Sequence, residues 1–136
     1  MTVDKSLENA YAKILTIIQS GRIGTPQVCV CSVNTDEQGE ALAQRMNVEL
    51  SLITTIFGCA EVDKETRKLL NEPYLHGFIS REYQNGCIAR CTYTSAPTEN
   101  NTTFTVYGSD GEIRYDTQTG KFITFIQSPD YEGDEF

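Results

Sequence analysis

Apolar residues near the start of the chain recur at intervals of three and four. Leu7, Ala10, Tyr11, Ile14, Leu15 and Ile18 fall on one stripe of a helix spanning about residues 4–20. Gly21 stands where the glycine after a helix C-terminus is expected. Beyond a loop with Gly24 and Pro26, the run Val28-Cys29-Val30-Cys31-Ser32-Val33 is apolar on both parities and rich in β-branched residues, which predicts a buried strand. Asn34, Thr35 and Asp36 then supply N-cap chemistry for a second helix. Its end is ambiguous: residues 48–52 alternate like a strand, whereas Leu42, Met46, Leu50, Ile53 and Phe57 continue a helical stripe up to Gly58. One long helix is the favoured reading. Asp63 reads as the cap of a short third helix over residues 64–70, closed by Pro73.

From His76 onward the pattern changes to alternating runs divided by the turn pairs Asn85-Gly86, Asp110-Gly111 and Thr119-Gly120. Strands are expected at about residues 77–83, 87–94, 103–107, 112–116 and 122–127, with 96–101 as the one long loop. The predicted fold is therefore α+β, with N-terminal helices packed on one face of a mostly antiparallel, meander-like sheet formed mainly by the C-terminal half. At 136 residues this is one compact domain, residues 1–136, of which 128–136 form an acidic tail.

Charge narrows the partners. Eleven Lys and Arg against nineteen Asp and Glu give a net charge of −8, which disfavours nucleic acid and anionic membranes. No apolar run is long enough to span a bilayer and no signal-peptide pattern opens the chain, so a cytoplasmic protein is expected.

Five cysteines, Cys29, Cys31, Cys59, Cys87 and Cys91, and one histidine, His76, are the soft ligands. Cys29 and Cys31 share a strand face roughly 6.6 Å apart, but Cys87 and Cys91 in a strand lie roughly 13 Å apart, too far for one tetrahedral site. Small buried hydrophobes in a reducing compartment explain these thiols better, and no metal or cofactor is expected. A catalytic pairing of His76 with a thiol has no support from spacing, and Asp36, Glu37 and Glu40 do not match a calcium loop.

Parity separates Ala89, Cys91, Tyr93, Ile113 and Tyr115 from a hydroxyl-rich set that carries Arg90 and Arg114. With Tyr107, those arginines are candidates to hold an anion. The tail residues Asp130, Tyr131, Glu132, Asp134, Glu135 and Phe136 combine acids with aromatics, as do segments that dock on basic, partly apolar surfaces. The expected function is that of a small acidic, non-catalytic binding or regulatory protein working through protein-protein contacts, its partner a protein with a basic surface or a second copy in a homodimer. The alternative is a small-molecule (anionic ligand) binding domain or enzyme using the polar sheet face. A further alternative is an acidic inhibitor that mimics nucleic acid.

Overall fold

A computed structural model describes residues 5–37, 39–58, 61–71, 74–83, 85–95, 100–117 and 123–127. Cys59, Pro73, the Thr119-Gly120 turn, most of the 96–101 loop and the whole acidic tail lie outside the described residues. The elements are α1 (Lys5–Gln19), β1 (Pro26–Thr35), α2 (Gly39–Phe57), β2 (Val62–Asn71), β3 (Tyr74–Glu82), β4 (Ile88–Ser95), β5 (Asn101–Gly108), β6 (Gly111–Asp116) and β7 (Ile123–Gln127). The chain is α+β, and its sheet is mostly antiparallel. No helix among the described residues is long and apolar enough to cross a membrane.

Gly21 ends α1 at φ 83, the left-handed backbone that only glycine adopts without strain. The apolar stripe that runs to Phe57 does form one helix, α2. Residues 64–70 depart from expectation, because they belong to strand β2 rather than to a third helix. The backbone of β2 pairs along β3 from Val62↔Glu82 to Asn71↔Tyr74. The Asp63 carboxylate, instead of capping a helix, accepts a hydrogen bond from its cross-strand neighbour Arg81 at 3.2 Å. A single cap signal was outweighed by a whole ladder of interstrand bonds.

The seven strands lie in the order β2-β3-β4-β1-β5-β6-β7. A C-terminal meander was expected, but β1 separates its two halves, running parallel to β4 and antiparallel to β5. Inward positions meet inward positions across the strands: Cys31 pairs with Cys91 on one side and Phe104 on the other, and Phe104 pairs with Tyr115. These residues join Ile14, Leu42 and Ile53 of the helices in one buried cluster. The Tyr11 ring of α1 lies 5.2 Å from that of Phe104 and 5.7 Å from that of Tyr115.

Candidate functional site

The outward parity of the sheet carries Arg90, Arg114 and Tyr107, as strand alternation predicts. Arg90 and Arg114 occupy one cross-strand row, Arg90–Val30–Thr105–Arg114. Three strand spacings separate their backbones by about 14 Å, so the fold does not bring the two together at the backbone. Arg114 turns toward its neighbours, donating from Nε to Thr105 Oγ1 at 3.3 Å and placing Nη2 3.9 Å from Glu112 Oε2. Tyr107 lies one row away, among the exposed large side chains with Val30 and Phe78.

His76 also points outward, with Nδ1 3.0 Å from Thr94 Oγ1. Cys29, Cys31 and Cys91 face inward, so the sheet separates the histidine from these thiols. Cys29, Cys31, Cys87 and Cys91 are free and buried. Burial pushes the Cys29 thiol pKa well up, and the hydrogen bond with Cys91 together with burial does the same for Cys31. Such thiols are poor nucleophiles. Among the described residues no group of three or more His, Cys, Asp or Glu could hold a metal ion.

Sequence reasoning missed a buried polar network between the helices and the sheet. Glu49 of α2 has no exposed surface. It accepts hydrogen bonds from Tyr11 at 2.5 Å, Tyr93 at 2.9 Å and Arg45 Nε at 2.9 Å. Arg45 also donates to Thr102 Oγ1 and, at 3.5 Å, to Glu37. The signal was present: Glu49 lies three residues after Met46 and four before Ile53, within the apolar stripe, and four after Arg45. A fully buried carboxylate met by three donors suits a structural tie better than a reaction centre.

A groove of about 500 Å³ lies between α2 and β3, lined by Asn47, Leu50, Ser51, Thr54, Thr55 and Arg81. Asn47, Ser51, Thr54 and Thr55 lie on the polar side of α2, with Leu50, which packs against the core, beside them. Arg81 reaches over them, donating from Nη1 to Thr54 Oγ1 at 2.9 Å and to the Leu50 carbonyl at 3.4 Å, and from Nε to Asp63. Two residues along β3's face, Tyr83 stacks on Phe57 with ring centroids 5.3 Å apart. Its hydroxyl is buried, and burial pushes its pKa up against the pull of the neighbouring Arg81 guanidinium.

The turn from β1 into α2 is acidic, with Asp36, Glu37 and Glu40 around Gly39, which adopts φ 58. Two of its amides are committed: Glu37 N donates to Thr35 Oγ1 at 3.1 Å and Asp36 N to Asn100 Oδ1 at 3.2 Å.

No family model and no curated protein matches the chain. Solved structures do share its fold. The WlbA dehydrogenase from Bordetella pertussis, in complex with NADH and UDP-GlcNAcA, aligns over 90% of this chain and 44% of its own at 16% identity and a TM-score of 0.71. Biliverdin reductase from Synechocystis sp. PCC 6803, with biliverdin and NADP+, aligns over 85% of this chain and 42% of its own at 17% identity and a TM-score of 0.68. Levoglucosan dehydrogenase in complex with NADH aligns over 90% of this chain and 41% of its own at 14% identity and a TM-score of 0.66. The fold is thus one found within NAD(P)-linked oxidoreductases, and the chain spans less than half the length of these proteins. This likeness overturns the expectation of a non-catalytic regulatory protein acting through protein-protein contacts. Small size, acidity and the absence of a catalytic signature carried the regulatory reading, and none of these informs fold.

Proposed function

We propose that this chain is a small-molecule-binding domain of the oxidoreductase kind, serving the substrate side of such a protein rather than holding the dinucleotide. The observation that carries the reading is the fold shared with dehydrogenases and reductases over most of the chain. Fold alone does not assign chemistry, so the cofactor has to be tested against the residues.

A dinucleotide-binding half needs adjacent parallel strands and a glycine-rich turn whose free amides meet the pyrophosphate at a helix N-terminus. Here β1 and β4 are the one parallel pair among the described strands. The strand-turn-helix around residues 35–40 carries the carboxylates of Asp36, Glu37 and Glu40 in place of a glycine-rich run, and the Asp36 and Glu37 amides are already bonded. These residues do not fit a pyrophosphate, and no hydride step is derived through them.

The same reading takes the two helices as the cover of one sheet face, supported by the contacts of Tyr11 and Glu49 with inward residues. The opposite face, with Arg90, Arg114 and Tyr107, then serves as a polar surface for an anionic ligand. A cytoplasmic location belongs to this proposal, in keeping with the free buried thiols.

Calorimetric titration tests the reading with NADH, NADPH and a panel of neutral polyols and carboxylates. At least one panel member is expected to bind with a dissociation constant of about 1 mM or tighter, while neither dinucleotide binds at that level. Tight binding of NADH, or no binding by any panel member, would overturn it.

A further inference from the structure

The outward face of the sheet holds cations in a single line. Strand register places Lys64, Ser80, Arg90, Val30, Thr105 and Arg114 in one row across β2, β3, β4, β1, β5 and β6. That row carries three cations and no carboxylate, while Glu82, Glu112 and Asp116 stand in the rows on either side. Arg114 leans on Thr105, with its Nη2 3.9 Å from Glu112. Arg90 and Lys64 are exposed and make no ion pair with any described residue. Between these charges the face is apolar: Val30 is 44% exposed, and Tyr107 in the adjoining row is 38% exposed. Cations set around an exposed apolar centre suit an occupant that carries both carboxylates and aromatic rings.

The chain contains such a segment. Residues 128–136, which lie outside the described residues, hold Asp130, Glu132, Asp134 and Glu135, the rings of Tyr131 and Phe136, and no base. They follow Gln127, the last residue of β7, which pairs with Gly111 next to Glu112. From β7, Arg114 is one strand spacing away, Tyr107 two, Val30 three and Arg90 four, the last about 19 Å at the backbone. Nine extended residues span up to about 30 Å, so the segment reaches all four positions. A tether this short holds it near the face at an effective concentration in the millimolar range, which favours its own sheet over that of a second copy.

We propose that the acidic segment 128–136 docks on the outward face of its own sheet, along the row from Arg114 to Arg90 and over Val30 and Tyr107. Over the face as a whole, Glu82, Glu112 and Asp116 balance the three cations, so the position of the charges rather than their sum makes the site. A carboxylate ligand for this face then has to displace the segment; that consequence, unlike the contact itself, rests on the small-molecule reading above.

Nuclear Overhauser contacts in the full chain test the docking. The rings of Tyr131 and Phe136 are expected to contact the Val30 methyls or the Tyr107 ring, equally after dilution by about tenfold, and to lose those contacts near about 1 M salt. Neutralising the segment with Asp130→Asn, Glu132→Gln, Asp134→Asn and Glu135→Gln together should shift the amides of the row from Arg90 to Arg114 and leave those of α1 and α2 in place. Arg90→Glu should weaken the contacts, and adding Asp134→Lys with Glu135→Lys to that variant should restore them, which a general effect on folding would not do. Absent contacts with unmoved amides overturn the docking; contacts that fade on dilution assign the segment to a second copy and overturn it equally. Citrate reads the consequence. At about 0.15 M salt, where charges beyond about 8 Å are screened, the neutralised variant should bind it at least about threefold more tightly, as a face covered two thirds of the time leaves one third competent. Contacts without that gain leave the docking standing and remove the small-molecule reading of this face; citrate binding by a chain that lacks the contacts does the reverse.

Discussion

Glu49 shows how one side chain can be both costly and necessary. Burial raises its carboxyl pKa, while the Arg45 guanidinium and the Tyr11 and Tyr93 hydroxyls pull the other way without cancelling the rise. Burial also works against the Arg45 charge, but Glu49 outweighs it, and the guanidinium stays firmly protonated. Both phenols are pushed up, first by burial and then by the Glu49 carboxylate. The folded state therefore keeps the Glu49 proton at a pH where the unfolded chain has released it. The contribution of this group to stability is full below the ordinary glutamate pKa and declines as pH rises through the raised one. Unfolding free energies measured in urea from about pH 4 to about pH 8 should contain this decline, and Glu49→Gln should remove it. Glu49→Leu should cost about 3–5 kcal/mol at neutral pH by stranding Arg45. A Leu variant as stable as the parent would mean that Arg45 escapes to solvent. The sequence places Glu49 within the apolar stripe and four residues after Arg45, but whether its other donors converge depends on α1 and β4, far away in the chain.

At the scale of elements, legibility followed the strength of the local pattern. The stripes of α1 and α2 are long and strongly periodic and both helices form, although α2 begins at Gly39, because Asn34 and Thr35, read as its caps, belong to β1. Ile14, in the middle of the α1 stripe, is completely buried. Ile14→Asp would place an unpaired carboxylate there at a cost of several kcal/mol, against a total stability of about 5–15 kcal/mol. The variant is expected to lose its cooperative thermal transition, followed by circular dichroism; unchanged melting would make α1 dispensable to the core. β2 was misread because a cap residue is a local signal, whereas a strand made of VDKETRKLLN acquires its ladder only from β3. The groove on α2 escaped notice for a related reason. Its polar stripe resembles any solvated helix face until Arg81 arrives from another element.

For the whole molecule, the insertion of β1 between β4 and β5 sets the hierarchy of stability. Every interior strand is bonded on both sides, but β1 joins the two antiparallel halves, and β2 and β7 are the outermost of the described strands. Amide exchange should accordingly be slowest in β1, approaching the global unfolding free energy, and at least about tenfold faster in β7. Exchange in β1 as fast as in β7 would contradict this strand order.

The chain's own pattern determined the α+β class, the two helices, the buried strand at β1, and the parity that sends Cys91 and Tyr93 inward and Arg90 and Arg114 outward. Those properties depend on residues a few positions apart, which periodicity records directly. Tertiary structure alone decided the central place of β1, its parallel pairing with β4, the Glu49 network and the meeting of Asn47 and Ser51 with Arg81. Each of these joins residues tens of positions apart through strand register, and register is set by which apolar faces meet, a quantity that no local window contains.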